Sequence, residues 1–426
     1  MKLNYKRTIL VGFAFFLISA FWQAYDTIVP LILTNKFEMD QFYSGIIMSL
    51  DNVFAVFLLP IFGTLSDKLK SRFGRRTPFI FFGTIFAAVF FAVLGFIPSL
   101  WMFIFVLLLC LLAMATFRSP AVALMPDVTV KPLRSKGNAI INLMGTAGGM
   151  IVLGLSIVFK TSEKGKTDFS LYLVSVGVLM AAALAVFLFT VKEPLWAKEA
   201  DEAGKALEAE KQEKEDEPII KRKLTNSEIL SLVLILVSVA LWYIGYNAVT
   251  SKYSVYATEV LEVPYNTTLL VAQGAAIVSY IPVGIVASKI GRKKTILAGV
   301  AMLTVAFGAA AFLKAGVAPI VMYVLFALAG IGWATINVNS FPMVVELAKG
   351  GDVGKYTGFY YTASMSAQIV TPILSGYIVK KMGWWTFFPY AAIFAGLAFV
   401  TMFFVKHGDS RPEAQGALES LAGADD

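Results

Sequence analysis

The sequence predicts an all-α membrane protein of twelve transmembrane helices built as two six-helix repeats. Three observations predict it. Stretches of about 20 residues with almost no charge recur along the whole chain, each long enough to cross a hydrocarbon core of about 30 Å as a helix. The 426 residues are 58% hydrophobic and only 15% charged, with a mean hydropathy of +0.73, where a soluble chain would show charges every few residues. Landmarks of the first half return in the second at a nearly constant offset.

The spans fall at 8–33, 43–65, 78–97, 100–124, 137–159, 170–191, 228–250, 267–288, 295–313, 317–343, 356–379 and 384–405. The first is too long, and lacks a small-residue cleavage site, for a signal peptide. With the N-terminus inside and twelve alternating spans, the cytoplasmic segments hold 27 of the 36 Lys and Arg and the outer loops hold eight. That is the positive-inside pattern, with both termini cytoplasmic and the plasma membrane as the expected location. The same bias accounts for a pI near 9.2, and no soluble domain presents cations to a nucleic acid. Between spans 6 and 7 the Glu- and Lys-rich residues 192–226 read as a solvated, partly helical linker. The halves are then 1–191 and 227–408, with a cytoplasmic tail over 409–426.

The repeat is carried by particular residues. Gly63 returns as Gly284, and Gly74-Arg75-Arg76 as Gly291-Arg292-Lys293. Pro120 returns as Pro342, Arg134 as Lys355, Tyr25 as Tyr246 and Asp26 as Asn247. Parallel six-helix repeats with a midplane site between them describe one large class of secondary transporters.

"GTLSDKLKSRFGRRTPF", residues 63–79, and its weaker copy "GIVASKIGRKK" resemble the signature loops of the major facilitator superfamily, and the resemblance covers essentially the whole chain. The longer form "SDKLKSRFGRRTPFI", with "RSPAVALMPD" and "RSKGNAIINLMG", is similar to the sucrose-transporter and glycoside–pentoside–hexuronide cation symporter branch. Where plant-type sucrose carriers have Arg two residues after the span-4 proline, this chain has Val122. The paired span-2 aspartates of melibiose-type carriers map to Ala55 and Leu59. The resemblance implies the major facilitator fold and a cytoplasmic gate built from Gly63, Asp67, Arg72, Gly74, Arg75, Arg76, Asp127, Arg134, Gly284, Gly291, Arg292, Glu346 and Lys355. By analogy with the repeat, Asp67 is expected to pair with Arg75, Asp127 with Arg134, and Glu346 with Lys355.

Ionisable groups inside spans cost about 3 kcal/mol each on insertion scales, so they mark function. Three are hard to place in a loop: Asp26, Asp51 and Arg118. At about 1.5 Å per residue, Asp26 and Asp51 lie at similar height in the outer half, and Arg118 lies in the inner half of span 4. Two carboxylates at one depth cannot both ionise cheaply, which is the chemistry of a proton-coupled carrier. Asp26 is the first candidate, because Asn247 keeps its hydrogen-bonding shape without titrating. Asp51 is the second. Around them, Trp22, Gln23, Tyr25, Trp242, Tyr243, Tyr246 and Asn247 offer rings and polar groups suited to sugar. Asn52, Arg118, Asn142, Gln273, Trp333, Asn337, Asn339 and Gln368 add more from other spans.

One cysteine, Cys110, excludes an intramolecular disulfide and a multi-Cys metal site. The single histidine, His407, lies past the last span, so no His relay crosses the membrane. With no HExxH, GxSxG or P-loop pattern, the chain reads as a non-enzyme without cofactor or metal. The reading is a monomeric secondary transporter that symports a glycoside or disaccharide with a proton, or with Na+ in its place. The alternatives are an exporter or carrier of another small polar or amphiphilic metabolite, and a membrane sensor or scaffold that moves nothing.

Overall fold

The computed structural model describes residues 3–212, 224–347 and 353–409. Within them run thirteen α-helices: α1 (Tyr5–Leu31), α2 (Gln41–Lys68), α3 (Thr77–Leu94), α4 (Leu100–Asp127), α5 (Arg134–Val158), α6 (Ser170–Thr190), α7 (Glu193–Gln212), α8 (Asn226–Val255), α9 (Tyr265–Ile290), α10 (Arg292–Ala310), α11 (Pro319–Val345), α12 (Val353–Met382) and α13 (Phe387–Phe403). Every expected span lies on a helix of its own. Eleven helices are long and apolar enough to cross a membrane; α12 has the length but more polar residues. The helix beyond the twelve is α7, which occupies the first part of the expected linker. Residues 213–223 of that linker and the tail from 410 lie outside the described residues.

Lipid as solvent explains why these segments helix. With no water to take up backbone N–H and C=O groups, each span satisfies them internally. Large apolar side chains therefore face outward as readily as inward: Trp101, Phe189, Val278 and Phe312 are among the most exposed. Local signals set the ends. Pro78 and Pro319 open α3 and α11. Thr225 and Glu228 form a reciprocal capping box at the start of α8. Gly74 (φ +106°) and Gly291 (φ +93°) turn the chain into α3 and α10 through a conformation that favours glycine.

The chain separates into two compact units. The first holds Met1–Tyr25, Val53–Phe159 and Asp168–Pro218; the second holds Asp26–Asn52, Lys160–Thr167 and Ile219–Asp426. Residues 26–52, at the ends of α1 and α2 joined by their connection, thus cluster with the C-terminal helices. Inside the first unit α3 packs on α4 and α6; inside the second, α10 packs on α11 and α13. This is one arrangement used twice, as the sequence repeat requires. Small residues let backbones approach at the crossings. A Cβ on Gly330 would run into the Ala272 carbonyl, one on Gly299 would lie 2.7 Å from the Gly332 oxygen, and one on Gly245 2.8 Å from the Ala391 oxygen.

One cation is not where its neighbours suggest. The expected span 7 ends at 250 and leaves Lys252 in an outer loop. In the structure α8 runs on to Val255 and continues as a π turn over Tyr256–Leu261, which carries Lys252 inside the helix with 1% of its surface exposed.

Gly330→Leu is expected to lower stability by about 1–3 kcal/mol, because α9 and α11 cannot separate without losing their packing. Gly308→Ala, where a Cβ meets nothing within 4 Å, is the matched control. Thermal unfolding of the purified proteins in detergent checks this: a clear drop for the first and none for the second.

Candidate functional site

The turn into α3 is closed by an acid from α7. Glu193, 2% exposed, accepts from the backbone N–H of Arg75 (2.7 Å), Arg76 (2.9 Å) and Thr77 (2.7 Å), and from the Thr77 hydroxyl (2.7 Å). These are the N–H groups a helix start leaves without intrahelical partners, and a carboxylate there also meets the positive end of the helix dipole. Gly74 is required beside it, since a Cβ would collide with the Glu193 carboxylate.

Arg76 is the hub of the same turn. It is 4% exposed, gives Nε to Asp127 Oδ2 at 2.7 Å, and donates through its terminal nitrogens to Asp67 and to the Ser66 hydroxyl. Arg75 takes the other Asp127 oxygen at 2.6 Å. Burial of Arg76 works against its charge. Hydrogen bonding and attraction from Asp127, and then from Asp67, more than offset it and raise its titration point above the ordinary arginine value.

These contacts revise the expected pairings. Asp67 pairs with Arg76, not Arg75, because the turn aims Arg76 inward and leaves Arg75 at the rim. Asp127 takes both arginines rather than Arg134, which spends its guanidinium on the Thr129 and Pro126 carbonyls at the end of α4. Glu346 pairs with Arg292 at 2.9 Å, while Lys355 lies over the Phe359 ring. Arg72 stacks on Phe73, and a Cβ on Gly63 would lie 2.8 Å from the Ser119 hydroxyl.

The second unit repeats the plan with two changes, at the positions of Asp67 and Arg76. Asp409 accepts from the Lys293 N–H at 3.0 Å at the start of α10, and a Cβ on Gly291 would lie 2.7 Å from its carboxylate. Arg292–Glu346 matches Arg75–Asp127. Ser288 stands at the position of Asp67, so Lys293, the partner of Arg76 in the repeat, turns instead to the carbonyls of Phe403 (2.8 Å) and Val405 (2.6 Å) at the end of α13. Neither Glu193 nor Asp409 stood out from the sequence as a site residue. The signal was there: "TVKEP" and "FVKHGD" both follow the sixth span of a repeat with Val-Lys and then an acid.

Deeper in the first unit, the Arg118 guanidinium lies over the Trp22 ring at 5.3 Å, and Trp22 meets Phe21 and Tyr25 edge-on. Tyr25 is fully buried and Gln23 half-buried. Asn142 is 3% exposed, with neither amide atom hydrogen-bonded, and the Trp22 indole N–H is likewise unpaired. Buried polar atoms in this condition await water or a ligand.

In the second unit Tyr246 stacks on Trp333, ring centres 3.6 Å apart and planes 3° from parallel, and Tyr243 meets the same indole edge-on at 5.3 Å. Tyr243 hydrogen-bonds Tyr360, whose hydroxyl lies 2.9 Å from that of Ser340. The Asp26 carboxyl lies within electrostatic reach of Tyr246. Asp51 accepts from Asn52 at 2.8 Å. Asn247 gives its amide to the Tyr243 carbonyl, and Asn339 to that of Thr335. Trp242 is fully buried and Asn337 nearly so, whereas Gln273 and Gln368 are half-buried. Among the described residues no group of three His, Cys, Asp or Glu side chains is placed to hold a metal.

The sequence profile of the Major Facilitator Superfamily matches residues 11–372 and 265–422. No curated protein matches. Solved structures do. A mutant of the nucleoside transporter NupG aligns with a TM-score of 0.65 at 14% identity, over 93% of this chain and 98% of that one. A mutant of the peptide transporter POT aligns with a TM-score of 0.70 at 14% identity, over 94% and 93%. A POT family transporter in complex with 5-aminolevulinic acid aligns with a TM-score of 0.70 at 10% identity, over 94% and 95%. At these identities the likeness is one of fold.

Glu193→Ala leaves three N–H groups at the start of α3 without their acceptor and is expected to cost about 1–3 kcal/mol. Glu193→Gln keeps the shape and part of the bonding, so it falls between Ala and the parent. Thermal unfolding in detergent ranks the three; an Ala variant as stable as the parent contradicts the capping role.

Proposed function

The chain belongs to the major facilitator superfamily, and on that premise we propose that this transporter carries a glycoside or disaccharide together with a proton. The observation that carries the reading is the second unit's stacked Tyr246–Trp333 pair with Asp26 in electrostatic reach of Tyr246. Flat aromatic faces suit the apolar side of a sugar ring, and neighbouring amides and carboxylates suit its hydroxyls. Asp26 sits where the repeat has Asn247, so one half has a titratable group where the other has only its hydrogen-bonding shape. The first unit, taken by itself, holds donors of the same kind in Arg118 and Asn142. The likeness to structures of nucleoside and peptide transporters supports movement of a small polar molecule over a scaffold role.

The inner segments of the alternating topology hold 27 of the 36 Lys and Arg, so the basic turns are taken as cytoplasmic, in a plasma-membrane protein with both termini inside. The Arg75–Arg76–Asp67–Asp127 cluster is then the cytoplasmic gate of the first half, and Arg292–Glu346 that of the second. Counterflow with a panel of labelled sugars in proteoliposomes tests the substrate class: one or more sugars exchange, and none exchanging rejects it.

Asp26→Asn is expected to keep sugar exchange but abolish uphill accumulation driven by a pH gradient, since the amide binds without loading a proton. Asp51→Asn is the control; loss of accumulation there alone moves the proton site to α2.

Arg118→Lys is expected to cut uptake at least about tenfold, because an ammonium does not reproduce the planar fork or its stacking on Trp22. Uptake at the parent's rate would make Arg118 a packing residue.

A further inference from the structure

Within the second unit, residues 26–52 meet the C-terminal helices, and the contact converges on one carbonyl. The Gln41 oxygen, at the first residue of α2, accepts from Lys252 Nζ of α8 at 3.1 Å. The same carbonyl sits against Gly376 of α12, where a Cβ would collide with it, and Gly45 sits equally close to the Pro372 carbonyl. Above the crossing, Asp40 pairs with Lys380 at 2.8 Å and caps α2 by accepting from the N–H of Phe42 and Tyr43. Burial raises the Asp40 titration point, but the Lys380 hydrogen bond, the two N–H bonds and the Lys380 charge outweigh it and hold it below the ordinary value. Its carboxylate is hydrogen-bonded to Lys380, and its charge also reaches Lys252 without a direct hydrogen bond.

Two parts of this contact hold it shut: the glycine crossing and the Asp40–Lys380 pair. Lys252 is held differently. An ammonium has three donors and gives up a full hydration shell when buried. At 1% exposure, its hydrogen bond here is to a single neutral carbonyl. The π turns that end α1 (Ile32–Lys36) and α8 (Tyr256–Leu261) flank it, joined by the Asn35 amide to Glu259 at 2.8 Å. Such turns gather at moving or functional places.

We propose that Lys252 is a spring in this contact: burying it stores free energy that favours release of the α2 start from α8 and α12, so the closed contact is balanced rather than permanent. This balance between two states is independent of the substrate. A spring and a strut respond to substitution with opposite signs. Replacing a buried charge with an apolar side chain of similar volume stabilises the packed state, whereas removing a strut loosens it.

The reporter is Ser44→Cys, one turn along α2 from Gln41 and 1% exposed, in a Cys110→Ala background that has no other thiol. Its maleimide labelling rate in detergent, without substrate, reads how often the contact opens, and full labelling after denaturation fixes the scale. Lys252→Met is expected to slow labelling about tenfold or more, and Lys252→Gln to slow it in the same direction, which preserves the test should the Met variant not fold. Lys252→Arg stays close to the parent. Asp40→Asn, which keeps the cap but loses the ion pair, speeds it. Labelling of the Met or Gln variant at the parent's rate or faster overturns the proposal. Because no sugar or proton enters this measurement, its failure leaves the sugar–proton reading standing, and failure of that reading leaves this result standing.

Discussion

A carboxylate seated on the start of a helix organises the basic end of each unit. In the first unit Glu193 takes three backbone N–H groups that α3 could not satisfy alone. Once they are fixed, the turn from Gly74 points Arg76 inward, where it meets Asp67 from α2 and Asp127 from α4. Four helices are thereby tied at one point by groups that are individually costly to bury and jointly satisfied. Removing the acid would leave the arginine, and the two aspartates it serves, without a fixed geometry. The sequence motif is thus a set of donors and turns, and its acceptor lies more than a hundred residues away.

The second unit shows which parts of this arrangement the duplication preserved. The acid after the sixth span, the glycine turn and the first arginine's ion pair all recur. The arginine at the Arg76 position does not: Lys293 stands there and, with Ser288 in place of Asp67, closes the end of α13 through carbonyls, while Arg292 is the buried cation of this turn. Changes at two positions, Asp67 to Ser288 and Arg76 to Lys293, accompany the redirected cation, while the helix start stayed capped.

Helices, repeat and charged turns were legible in the sequence because lipid imposes a length and an apolar run that no tertiary contact overrides. The ion pairs were less so. Arg75 and Arg76 are adjacent and chemically alike, and only the turn at Gly74 decides which one is buried. Lys252 was hidden by the same logic that found the spans: a charge near an apolar run reads as its end, yet α8 continues past it. Glu193 was lost in a Glu- and Lys-rich segment whose composition reads as linker, although its first residues form the cap of another helix. The aromatic candidates divide similarly. Tyr246 and Trp333 come together from α8 and α11, while Trp242, next to Tyr243 in sequence, turns into the packed interior.

Under the proposed function, sugar movement and proton movement are one event. The direct measurement is of proton flux, read by an enclosed pH dye in proteoliposomes, when an inward sugar gradient is imposed without any pH gradient. The expected result is acidification of the interior that depends on the sugar and is lost in Asp26→Asn. Sugar entry at full rate with no change in internal pH would contradict it.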